Sequence, residues 1–133
     1  MTDDTRLHAE LDAAKIRFDQ VEHEAVFTVL ESSALERSVP GAHTKNLFLK
    51  DTSGQFYLVT VLAEKQVDLG ALRHLVGAGR FSFGSGDEMV ELLGITPGSV
   101  TPLAAFNDKA GRVHVMSTVP SLTCRAMLVL WWR

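Results

Sequence analysis

Lys45 stands at the threshold of an apolar, strand-like run, Leu47-Phe48-Leu49, and is led in by Pro40, Gly41, His43 and Thr44. A cation aimed by such a bend could bind a phosphate or polarise an ester. A lysine on a strand edge also discourages sheet-to-sheet pairing without any further role, and for Lys45 taken alone that plainer reading is the stronger. The second candidate is Gly98-Ser99-Val100-Thr101-Pro102. A glycine followed by a hydroxyl residue in a proline-flanked loop can turn backbone N–H groups toward an anion or a developing oxyanion. The same pattern also describes a simple turn between elements. It is not a phosphate-binding P-loop, because the Lys-Ser/Thr ending is missing.

The histidines His8, His23, His43, His74 and His114 are scattered, and Cys124 is the single cysteine. No pair has helical metal-ligand spacing, so no metal site and no cofactor are expected. A serine nucleophile elbow is lacking too. His8 and His74 fall on expected helices and read as surface residues, whereas His23 and His43 are better pocket candidates. Asp87-Glu88 reads as helix capping, not as an acid/base pair.

These residues must be positioned by one domain, since 133 residues bury one core and not two. Apolar residues make up 46% and charged residues 22%, an ordinary globular balance. A formal charge of −3 excludes a general polyanion binder and gives no reason to expect DNA as a partner. The run from Ala126 to Trp132 is too short to span a bilayer, so no membrane partner is expected. One cysteine and an acidic start at Thr2-Asp3-Asp4 point to a cytoplasmic location.

Leu7, Leu11, Ala14 and Phe18 recur at helical spacing behind Asp3 and Asp4. Val26 to Leu30 reads as a strand, followed by a short helix through Ser33–Arg37. Asn46 to Lys50 and Phe56 to Leu62 flank Asp51-Thr52-Ser53-Gly54 as a hairpin. Asp68 caps a helix that stops at Gly77 and Gly79, and Phe81–Phe83 is a short strand. Ser85-Gly86-Asp87-Glu88 has capping-box spacing, for a helix ending at Gly94. Leu103–Phe106 and Val113–Val115 read as strands around a turn at Asn107 to Gly111, a second hairpin. The expectation is an α+β fold with a mixed or antiparallel sheet.

In order, "VFTV", "PGAHTKNLFLKD" and "VDLGALRHLVGAGRFSFGSGDEMVELLGITPGSVTPLAAFND" closely resemble the YbaK/prolyl-tRNA-synthetase-associated editing family. Within it, the chain looks most like the free-standing bacterial domains that deacylate Ala-tRNA(Pro). The resemblance runs from about residue 5 to residue 115. It implies a mixed, curved, barrel-like sheet flanked by helices, and hydrolysis of the ester joining a wrong amino acid to a tRNA 3′ end. Carried over by position, it makes Lys45 the pocket lysine and Gly98 to Pro102 the family's G-x-x-x-P loop, with Gly98 binding the ester carbonyl or its oxyanion and Ser99 beside it. Val21, His23 and Leu30 would line the substrate. The implied partner is the acceptor end of mischarged tRNA(Pro), with prolyl-tRNA synthetase a further candidate. Basic help would come from Arg6, Lys15, Arg17 or Lys50. A Cys-tRNA(Pro) deacylase and a non-catalytic tRNA- or synthetase-binding remnant stay open as alternatives.

From Met116 to Arg133 the sequence departs from the family: an Asn-x-His-Pro segment is absent, and no Asp, Glu or Lys occurs. Residues 1–133 are therefore expected as one editing domain, family-like over 5–115, that lacks the family's last strand and helix. The tail composition resembles truncated or out-of-frame coding. A tail that folds back as a replacement strand is the other reading.

Overall fold

The computed structural model describes residues 4–20, 42–118 and 126–127. The expected strand at Val26 to Leu30, the expected helix through Ser33–Arg37 and the candidates Val21, His23 and Leu30 lie outside these residues.

Helix α1 spans Asp4–Ala13 and buries Leu7. It is shorter than its apolar spacing suggests. Lys15 adopts φ 56, while its N–H bonds back to Asp12 and that of Ile16 to Leu11. This is a Schellman ending without the usual glycine. Phe18 therefore lies beyond the helix, 42% exposed, with its ring stacked on His8.

The expected hairpin is present. Strands β1 (Ala42–Asp51) and β2 (Phe56–Leu62) pair antiparallel, Lys45 opposite Val61 and Lys50 opposite Phe56. Helix α2 (Leu69–Val76) starts on the Asp68 side chain, which accepts the Ala71 N–H at 3.0 Å, and ends at left-handed Gly77. Strand β3 (Phe81–Phe83) joins the outer side of β1. Helix α3 (Gly86–Leu93) opens on the full capping box of Ser85 and Glu88 and closes at Gly94.

The second hairpin does not form. Pro102–Asn107 is a 3-10 helix, so Leu103–Phe106 is not a strand. Thr101 caps it by accepting the Leu103 N–H, and Pro102 brings a φ already suited to a first helical turn. Strand β4 (Val113–Ser117) instead lies parallel to β2, Phe56 opposite Val113. The short strand β5 (Ala126–Met127) returns from the tail to pair in parallel with Ala42 and His43.

The sheet is thus mixed, as expected, and curved. Its order β3-β1-β2-β4 leaves it unclosed. Strand β2 is buried from Phe56 through Val61, which requires cover on both faces. On one face Phe48, Phe56 and Leu58 pack with Met89, Leu92 and Leu93 of α3 and Ala104 of the 3-10 helix. On the other, Leu49, Tyr57, Val59 and Val61 pack with Leu72 of α2 and with Phe81. Among the described residues no helix is long and apolar enough to cross a membrane.

Candidate functional site

The Gly98 loop is shaped by its own sequence. The Ser99 N–H bonds to the Thr96 carbonyl at 3.0 Å, which closes a four-residue turn over Pro97 and Gly98. Gly98 has φ 92, the positive angle a type II turn demands at its third residue, and proline suits the second. Within the described residues neither the Gly98 N–H nor the Ser99 hydroxyl has a hydrogen-bond partner. Gly98 is exposed, and a Cβ built on it would meet nothing within 4 Å. The loop therefore offers an unengaged amide at a fixed bend. Pro102, four residues on, starts the 3-10 helix that holds the loop's far end.

Strand alternation decides what β1 sends toward this loop. Asn46, Phe48 and Lys50 share the α3 face: Phe48 packs on α3, Lys50 reaches Glu88, and the Asn46 Nδ2 donates to the Val100 carbonyl at 2.9 Å. Lys45 has the opposite parity, that of Leu47 and Leu49, and leaves the strand on the α2 face. Lys45 and Gly98 are thus linked through Asn46 and do not share a face of the sheet. Lys45 is half-buried, and its ammonium forms no ion pair or hydrogen bond with a described residue. His43 has the same parity, and its Nδ1 is buried without a partner among the described residues.

Asn46 was not among the residues the sequence singled out. A signal was available: Asn46 is an amide directly before the apolar run Leu47-Phe48-Leu49, and Thr60 interrupts the apolar run of β2. They sit opposite each other, and the Thr60 hydroxyl donates to the Asn46 Oδ1 at 2.7 Å.

The basic residues offered to a nucleic acid are partly spoken for. Lys50 Nζ bonds Glu88 Oε2 at 2.8 Å, and Arg6 donates to Asn107 Oδ1 while its guanidinium lies over the Phe106 ring. The Lys50 bond, then the Ser85 amide, hold the Glu88 carboxyl down at about 2. Asp51 is the other organising carboxylate. It accepts from the Ser53 hydroxyl and from the amides of Ser53, Gln55 and Gly79. The Ser53 hydroxyl is the largest influence lowering its pKa, and burial opposes it. Among the described residues no three His, Cys, Asp or Glu side chains gather as metal ligands.

Comparison with known proteins supplies a context for this geometry. A family model described as the aminoacyl-tRNA editing domain matches residues 23–116. Prolyl-tRNA editing protein ProX of Acetoanaerobium sticklandii is 35% identical over 109 residues, covering 81% of this chain and 66% of ProX. The Bos taurus prolyl-tRNA synthetase associated domain-containing protein 1 is 43% identical over 105 residues, covering 77% of this chain and 61% of that protein. The matched region spans less than two thirds of the length of these curated relatives. Among solved structures, a candidate trans-editing enzyme for prolyl tRNA synthetase superimposes with a TM-score of 0.59 at 26% identity, covering 77% of this chain and 66% of its own. Hypothetical protein APE2540 superimposes with a TM-score of 0.67 at 21% identity, covering 84% of this chain and 72% of its own, a likeness of fold alone.

Proposed function

The chain belongs to the aminoacyl-tRNA editing domain family, and from that premise we propose that it is a trans-editing hydrolase that deacylates mischarged Ala-tRNA(Pro). The observation that carries the reading is the Gly98 bend, an unengaged amide on a loop bonded to the lysine-bearing strand.

An aminoacyl ester is already activated, so no strong protein nucleophile is needed. Water adds to the ester carbonyl carbon, aided by a hydroxyl of the terminal ribose. The carbon–oxygen bond to the ribose breaks, and the ribose oxygen leaves with a proton as alanine is released. The protein supplies position and charge stabilisation. The Gly98 amide stabilises the oxyanion, with Ser99 and Pro102 shaping the loop. Lys45, acting from the other face of β1, anchors the charged nucleotide end. Val21 and Leu30 size the pocket for alanine, and His23 contacts the substrate. An apolar pocket discriminates by only about 1–3 kcal/mol per methylene, so sparing of proline rests on pocket shape. With a net charge of −3, contact is confined to the tRNA acceptor end, and prolyl-tRNA synthetase is a second candidate partner.

Deacylation of Ala-tRNA(Pro), Cys-tRNA(Pro) and Pro-tRNA(Pro) by the wild type and Lys45→Ala tests this. The expected order is alanine first, with Lys45→Ala slowed on the order of a hundredfold or more. Equal rates for the two proteins remove Lys45 from the mechanism. Preference for the cysteinyl substrate reassigns the specificity, and binding without turnover makes the domain a tRNA-binding module.

A further inference from the structure

We infer that Asn46 and Thr60 form a positioning relay that sets the bend at Gly98, an inference that rests on the editing reading only for its kinetic consequence. A carbonyl can only accept, so the Asn46 amide nitrogen must face Val100, at 2.9 Å. That leaves its Oδ1 for the Thr60 hydroxyl at 2.7 Å. Thr60 is 5% exposed and sits opposite Asn46 across the β1–β2 ladder, so the second bond fixes the amide plane from within the sheet.

Val100 is the right residue to hold. Among the described residues, this is the one side-chain hydrogen bond that ties the loop to the sheet between the turn closed by the Thr96 carbonyl and the Thr101 cap. Val100 packs against the α3-side core but is itself only partly buried, so the Asn46 bond adds a directional hold that its apolar contact lacks. Losing the Asn46 donor frees the Val100 carbonyl and lets the bend at Gly98 tilt. A hydroxyl buried at Thr60 in the apolar strand β2 is a costly choice for stability alone, since buried polar atoms must find partners. Its use is orientation.

The test uses the full chain with Asn46→Asp, Thr60→Val and Thr60→Ser. Asn46→Asp keeps the shape but faces the Val100 carbonyl with an acceptor, and Thr60→Val keeps the shape but loses the donor. Amide NMR reads the loop directly. The Gly98 and Ser99 cross-peaks are expected to shift and broaden in Asn46→Asp and Thr60→Val and to return in Thr60→Ser, while β3 and α2 resonances stay in place. Unchanged Gly98 and Ser99 resonances in both disruptive variants overturn the relay. In single-turnover deacylation, Asn46→Asp is expected to slow the chemical step by about a hundredfold with tRNA binding unchanged, the scale for a displacement of about 1 Å at a reacting centre. If the wild type does not deacylate Ala-tRNA(Pro) while the variants still release the loop, the editing reading fails and the relay stands. If the loop is released but the rate of an active wild type is retained, the relay does not serve catalysis, and that half of the inference falls.

Discussion

Lys50 Nζ lies 2.8 Å from Glu88 Oε2, so the last cation of β1 is bonded to the residue that completes the α3 capping box. One carboxylate thus serves the strand through one oxygen and, through the other, the Ser85 amide at 3.0 Å. The pair joins two elements that are distant in sequence, and it removes Lys50 from the cations free to meet a nucleic acid.

This arrangement makes stability acid-sensitive. Glu88 has a folded pKa of about 2 against an ordinary 4.5. Its contribution is complete above the unfolded value and is lost as pH falls from there toward the folded value. Thermal melts across that range should show Glu88→Gln less stable than the wild type near neutral pH. The gap should narrow as acid protonates the wild-type carboxyl. A gap that stays constant would show that Glu88 acts through something other than its charge.

Lys50→Met should raise the Glu88 pKa, read by carboxyl NMR titration, and should leave deacylation of Ala-tRNA(Pro) near the wild-type rate. A large loss of rate would return Lys50 to the substrate-binding surface.

Two glycine substitutions should act by different routes. A Cβ on Gly84 would lie 2.5 Å from the Phe48 ring, which is buried against Phe56. Gly84→Ala should therefore cost about 1–3 kcal/mol through overpacking. Gly98→Ala meets no atom but must hold a left-handed φ, at a cost of about 1–2 kcal/mol. Urea denaturation measures both. Adding Phe48→Leu, which relieves the crowding, should recover much of the first loss and none of the second.

Asp51→Ala should destabilise more than Asp68→Ala. Asp51 accepts four bonds and ties the β1–β2 turn to the segment after α2, whereas Asp68 makes one capping bond. Loss of a helix cap costs about 1 kcal/mol. Equal midpoints in denaturant would deny Asp51 its organising role.

What the sequence disclosed follows the range of the forces involved. The α3 capping box, the Asp68 cap and the β1–β2 turn each depend on residues within a few positions, and all three were readable. Leu103 to Phe106 was misread because a four-residue apolar run suits a strand and a short helix equally, and Thr101 with Pro102 decides between them. The end of α1 was missed because Lys15 takes the place a glycine usually signals. The parallel pairing of β2 with β4 has no local signature. Neither does the Asn46–Val100 bond, whose partners are 54 residues apart. Lys45 and the Gly98 loop were legible as candidates. That opposite faces of one strand divide them was not.

That division has an outcome for any alteration of β1. The loop's anchor and the candidate cation are consecutive residues, so neither can be relocated independently. Deleting a single residue between them and the Asp51 turn would swap their sides at one stroke, pointing an ammonium at Val100 and a carboxamide into the apolar layer beneath α2. Chain variants with altered hairpin length should accordingly forfeit both features together.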